Sequence, residues 1–111
     1  MDLRLEVSER GPWTVVEVGG EIDVATAPRL REQLISLVAA GHHHICVSLE
    51  AVDFIDSTGL GVLISGLKRV RTHGGGFALV CTEPRIMKVF EITGLLAVFD
   101  VHGTIDDAVS A

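Results

Sequence analysis

Positive charge is scarce in this chain. Nine Lys and Arg stand against fifteen Asp and Glu, a formal net charge of −6. A protein that grips nucleic acid through its phosphates needs a basic face, so no nucleic-acid partner is expected. Long apolar runs are also missing. No stretch approaches the ~18 apolar residues needed to cross a bilayer, so no membrane insertion is expected. Met1-Asp2-Leu3-Arg4-Leu5-Glu6 lacks a basic region followed by an apolar one, which excludes a secretory signal there and leads to the expectation of a cytoplasmic protein. Cysteine is limited to Cys46 and Cys81. Both lie in apolar, strand-like runs, where buried free thiols of a reducing compartment are expected ahead of a disulfide.

Apolar residues make up 48% of the 111, and mean hydropathy is +0.44. That suits one folded domain with one core, spanning 1–111. Leu3 to Ser8 and Trp13 to Val18 read as strands, with turn chemistry at Glu9-Arg10-Gly11-Pro12 between them. Gly19 to Asp23 reads as a tight connection. Leu30, Leu34, Leu37 and Val38 recur at helical spacing, with Pro28 suited to the first turn and Gly41 to the C-terminal end. Ile45 to Leu49 is a third strand. Leu60, Leu63, Ile64, Leu67 and Val70 mark a second helix, stopped by Gly74-Gly75-Gly76. Phe77 to Cys81 is a fourth strand, and Pro84 opens a third helix that ends at Gly94. Ala97 to Val101 reads as a last strand, and Thr104 to Asp107 as a capping-box start of a short terminal helix. The order ββαβαβαβα predicts an α/β fold, a mixed and largely parallel sheet of 4–5 strands with about four helices and right-handed crossovers.

The densest chemistry lies at Asp53-Phe54-Ile55-Asp56-Ser57-Thr58-Gly59-Leu60-Gly61-Val62-Leu63, where a strand passes into a helix. Ser and Thr at a helix start ordinarily serve as caps. A hydroxyl there also sits beside unpaired N–H groups at the positive end of the helix dipole, where a phosphate is well placed. Ser57 is therefore a candidate phosphoacceptor on a docking domain.

Other chemistries fit poorly. Gly59-Leu60-Gly61 has Ile64 where a dinucleotide fingerprint needs its third glycine. Gly61 and Gly66 have the spacing of a triphosphate loop, but Leu67-Lys68 replaces Lys-Ser/Thr. These glycines are expected to serve close packing of the helix on the sheet or on a partner. Ser57 lacks the Gly-x-Ser-x-Gly elbow of a hydrolase nucleophile. His42-His43-His44 cannot readily converge on one ion while entering a strand, since successive side chains alternate faces, so a polar turn and no metal are expected. Met87, Leu95 and Leu96 are expected in the core.

Gly20-Glu21-Ile22-Asp23, Thr26-Ala27 with Leu30 and Leu34, the Asp53–Leu63 block, and Val89-Phe90-Glu91-Ile92-Thr93-Gly94-Leu95 together resemble the anti-sigma-factor antagonists, the stand-alone form of the STAS domain. The likeness runs from the first strand to Val109. It implies a mixed sheet with helices largely on one side and a function by partner switching. Unphosphorylated, such a protein binds an anti-sigma factor that is a serine kinase, and so frees the sigma factor. Phosphorylation of the serine, here Ser57, ends binding, and a metal-dependent serine phosphatase restores it. The resemblance implies a partner-binding set of Asp23, Asp56, Ser57, Thr58, Gly59 and Gly61. Thr58 is the lesser acceptor, Asp23 and Asp56 position the hydroxyl or face the kinase, and the two glycines admit close approach by partner or sheet. The chain would be no enzyme and need no cofactor, the kinase supplying ATP and Mg²⁺. The competing readings are a STAS accessory subunit docked on a lipid-transporter ATPase and a Ser-dependent hydrolase. One departure stands out: Leu67-Lys68-Arg69-Val70 occupies a place where some relatives are expected to carry an aromatic.

Overall fold

A computed structural model describes residues 2–110, so Met1 and Ala111, the ends of the expected 1–111 domain, lie outside the described residues. Strands β1 (Leu3–Arg10) and β2 (Trp13–Ile22) form a hairpin, followed by α1 (Ala27–Ala39), β3 (His44–Ile55), α2 (Ser57–Arg71), β4 (Gly76–Val80), α3 (Pro84–Ile92), a 3₁₀ turn (Leu95–Ala97), β5 (Asp100–His102) and α4 (Ile105–Ser110). The sheet order is β1-β2-β3-β4-β5. Only β1 runs against its neighbour; the other three pairings are parallel.

Alternation along the strands sets the layers. Val16, Val18, Ile45, Val47, Leu49 and Leu79 face a main core with Leu30 and Leu34 of α1, Leu63 and Val70 of α2, and Ile86 and Phe90 of α3. Residues one step along, Val15, Cys46, Ala78 and Val80, face the other way and meet Ala108 of α4. The three crossover helices thus share one face, as parallel strands added in one direction with one crossover hand require, and α4 covers the other. Each large side chain buried this way contributes roughly 1.5–3 kcal/mol. Cys46 and Cys81 fall in opposite cores and are free, because the alternation that buries them also separates them.

Several boundaries differ from the sequence reading. Gly19 to Ile22 is strand, not a tight connection, and β3 continues past Leu49 to Ile55. The two extensions pair with each other, Gly19 with Ala51 through Ile22 with Ile55. Gly20 takes φ +97°, and a Cβ there would lie 2.0 Å from the Asp2 carbonyl oxygen. The Gly-Gly pair therefore admits the start of β1 rather than ending the strand. β4 pairs with β3 only as far as Ser48, so the far half of β3 runs beyond the rest of the parallel sheet.

The expected last strand at Ala97–Val101 is displaced to Asp100–His102. Gly94 leaves α3 at φ +76°, and the next residues coil so that the Val98 and Phe99 amides donate to the Leu95 carbonyl. That coil delivers Phe99 against Phe90, with ring centroids 5.8 Å apart. Met87 and Leu95 are half-buried on the main core, but Leu96 is exposed, contrary to the expectation for it.

Candidate partner-binding site

Ile22 and Ile55 are register partners on adjacent parallel strands. The residues that follow them, Asp23 and Asp56, therefore leave the sheet side by side. The Asp56 amide donates to the Ile22 carbonyl at 3.2 Å, which ties the start of α2 to the β2–α1 loop.

Asp56 is the N-cap of α2. Its Oδ1 accepts from the Thr58 amide at 2.9 Å and the Gly59 amide at 3.1 Å. Ser57, the first residue of the helix, is exposed. The cap revises one expectation. Two of the helix-end N–H groups thought free for a phosphate are already taken by a carboxylate. A phosphate on Ser57 must displace Asp56 or lie outward from it, and the two anions repel.

Asp23 is buried at 7% exposure. Its Oδ1 accepts from the amides of Ala25 at 2.9 Å and Thr26 at 3.0 Å. The Thr26 hydroxyl accepts from the Asp23 amide at 2.9 Å and donates to the Glu21 carbonyl at 2.6 Å. This Asp–Thr lock, not a contact to the Ser57 hydroxyl, is what Asp23 provides. It leaves Val24 at the loop tip, 72% exposed. Phe54, just before the Ile55-Asp56 corner, is also an exposed large apolar residue.

The two glycines differ. A Cβ on Gly59 would lie 2.7 Å from Ile22 Cγ2 and 2.8 Å from Ile55 Cγ1, so Gly59 lets α2 rest on the strand ends. A Cβ on Gly61 would meet nothing within 4 Å, so of the two roles expected for it packing on the sheet does not apply, and its face is open to a partner. Gly66 is the second true packing glycine, against Leu34 and Phe77. Thr58 is exposed and lines a groove of about 260 Å³ between α1 and α2 with Pro28, Arg31, Ile35 and Val62.

The structure thus brings Asp56, Ser57, Thr58 and the Asp23 loop to one corner, with Gly59 beneath it and Gly61 one turn along α2. Sequence reasoning missed the locking role of Thr26, although the i, i+3 spacing of Asp23 and Thr26 before Pro28 is a helix-start signal. It also missed Val24 and the α1–α2 groove, which depend on tertiary placement.

The STAS domain family matches residues 4–108. The chain belongs to the STAS domain family. It is 37% identical over 101 residues to the anti-sigma-B factor antagonist of Bacillus subtilis, covering 91% of this chain and 92% of that one. It is 37% identical over 102 residues to the anti-sigma-B factor antagonist of Staphylococcus aureus, covering 92% and 94%. A crystal structure of an anti-sigma factor antagonist from Mycobacterium paratuberculosis superposes with a TM-score of 0.91 at 31% identity, covering 98% of this chain and 92% of that one. The mixed, largely parallel STAS sheet of 4–5 strands expected from the sequence is observed, with five strands.

The histidine run sits at the opposite end of β3. His42 Nδ1 lies 3.0 Å from the Thr14 hydroxyl, His43 stacks on His73 with centroids 4.1 Å apart, and His44 meets Trp13 edge-on at 5.5 Å. The three rings are drawn to three different neighbours. Among the described residues no helix is long and apolar enough to cross a membrane.

Proposed function

We propose that this STAS domain is an anti-sigma-factor antagonist that acts by partner switching. Unphosphorylated, it binds an anti-sigma factor that is also a serine kinase, and the sigma factor is released. Phosphorylation of Ser57 ends the complex, and a metal-dependent serine phosphatase reverses it. The chain acts by binding and catalyses nothing itself.

The observation that carries this reading is an exposed serine hydroxyl at the first position of α2, on a corner where both neighbouring aspartates are engaged in holding the backbone. With Asp56 and Asp23 so engaged, the exposed Ser57 hydroxyl is the nucleophile presented to a kinase. Electrostatics explains the switch. Phosphoserine carries about −1.5 to −2 charges near neutral pH. A partner carboxylate about 6 Å away, at an effective dielectric of about 20, is repelled by roughly 3 kcal/mol per unit charge. That is more than about a hundredfold in affinity. Because Ser57 is exposed, the added group strains the interface rather than the core.

The test is a titration of the purified anti-sigma factor from the same source with wild-type chain, Ser57→Ala and Ser57→Asp, with melting curves alongside. Binding by the first two and none by a normally folded Ser57→Asp supports the reading. Equal binding by all three, or by none, overturns it and turns attention to docking on a transporter ATPase.

A further inference from the structure

Among the described residues the cations of α2 form no ion pair, so beyond favouring the helix C-terminus they are free for an outside anion. Lys68, Arg69 and Arg71 crowd the last turn of the helix, and α2 holds no carboxylate from Ser57 to Arg71. Carboxylates outnumber cations in the chain by six (15 against 9), so internal partners are plentiful. Among the described residues the ion pairs are nevertheless Arg10–Asp106, Arg85–Glu83, Lys88–Glu91 and His102–Asp100, none of them on α2. Arg69 Nε is enclosed and has no hydrogen-bond acceptor, a state that costs free energy unless an acceptor arrives from outside.

Lys68 and Arg69 line a cleft. Gly61, Ile64, Ser65, Lys68, Arg69 and Thr72 bound an open hollow of about 500 Å³ on the outer side of α2. Ser57, Gly61, Ser65, Lys68 and Thr72 follow one another at steps of four, four, three and four. Such residues share one helix face, so the hollow, which Ser57 does not itself line, begins at Gly61 one turn from Ser57. Along this lane the side chains are small near Ser57, and Gly61 leaves its part unfilled. Near its far end stands Lys68, with Arg69 beside it on the wall of the hollow.

We propose that this face of α2 docks an acidic segment of the partner protein, with its carboxylates on Lys68 and Arg69 and its backbone passing over Gly61 toward Ser57. The proposal rests on the partner-switching reading and deepens it by naming the chemistry of the partner. Charge complementarity selects a carboxylate-bearing protein segment over a nucleic acid. The two cations are a local exception on a chain of net charge −6, and a long polyanion would meet the rest of that field. The same arrangement supplies directionality. A segment held at the cationic end places its neighbouring groups against Ser57, where a new phosphate repels them.

The experiment titrates the same purified anti-sigma factor at low and high salt with wild-type chain, Lys68→Glu, Arg69→Glu, Gly61→Leu and the control Arg4→Glu. Arg4 lies on the edge strand β1. Lys68→Glu and Arg69→Glu are expected to weaken binding by about tenfold or more and to flatten its salt dependence. Arg4→Glu is expected to stay within about threefold of wild type. Gly61→Leu fills the lane without touching the core, so it is expected to melt no lower than wild type and yet to lose binding. Wild-type binding with all the α2 variants unchanged overturns this proposal and leaves the partner-switching reading standing. No binding by wild type overturns both. Binding of duplex DNA through Lys68 and Arg69, with the anti-sigma factor indifferent to them, also overturns it.

Discussion

Gly59 and Gly61 lie two residues apart at the start of α2, and the structure assigns them opposite responses to the same change. In Gly59→Ala the new methyl would sit 2.7 Å from Ile22 Cγ2 and 2.8 Å from Ile55 Cγ1. Ile22 is fully buried and Ile55 nearly so, and both sit at the strand ends that carry the site. Neither can yield without moving the corner. Overpacking of this kind costs about 1–3 kcal/mol, against up to about 1 kcal/mol regained when alanine replaces glycine in a helix. The expected net loss is about 1–2 kcal/mol. In Gly61→Ala the methyl meets nothing within 4 Å, so only the propensity gain remains, about 0.5–1 kcal/mol of stabilisation. The two variants are expected to differ by about 2 kcal/mol, which for a domain of this size is roughly 8 °C in melting temperature. Circular-dichroism melts and urea titrations of the two variants beside wild type measure it. Melting shifts of the same sign and size in both would refute the packing of α2 on the strand ends.

Other perturbations have equally definite outcomes. Asp56→Ala removes the cap from the Thr58 and Gly59 amides and should cost about 1 kcal/mol by chemical denaturation, with Asp56→Asn retaining most of it. Thr26→Val strips the hydroxyl that serves both the Asp23 amide and the Glu21 carbonyl, costing about 1–3 kcal/mol, and Thr26→Ser should recover most of that in the same assay. Burial pushes the Cys46 thiol from its ordinary 9.0 up to about 11, and burial likewise raises Cys81. Native protein at pH 8 should therefore resist a thiol-reactive chromophore that labels both cysteines once unfolded. The folded state holds the Cys46 proton more tightly than the unfolded chain does. Its contribution to stability is therefore complete below about pH 9 and is lost as pH rises toward about 11, which alkaline denaturation of Cys46→Ala beside wild type can measure.

Much of this was legible in the residues because local signals and tertiary packing agree. The helical stripes Leu30-Leu34-Leu37-Val38 and Leu60-Leu63-Leu67-Val70 are the buried faces of α1 and α2. Gly41, at φ +96°, accepts the end of α1, its amide and that of His42 donating back to the Val38 and Leu37 carbonyls. What was not legible depends on partners distant in sequence. Gly19-Gly20 carries turn chemistry by composition, and only the pairing with Ala51-Val52 and the closeness of Asp2 make it strand. Glu50 to Asp53 looks too polar for a strand because that part of β3 has lost β4 as a neighbour and one of its faces is wet. At the site, Ser57 and Asp56 are adjacent in sequence and were found together. The assignment of Asp23 to its own loop needed the Thr26 hydroxyl in three dimensions. The openness of Gly61 is a statement about empty space, which a sequence does not carry.

The central claim is that Ser57 is the phosphoacceptor of a binding switch. Its most direct test is intact mass of the purified chain after incubation with ATP, Mg²⁺ and lysate of its own source, with Ser57→Ala treated in parallel. The account predicts a single added phosphate on wild type and none on Ser57→Ala. A phosphate that persists in Ser57→Ala, or no phosphate on folded wild-type chain in a lysate that phosphorylates other proteins, would contradict it.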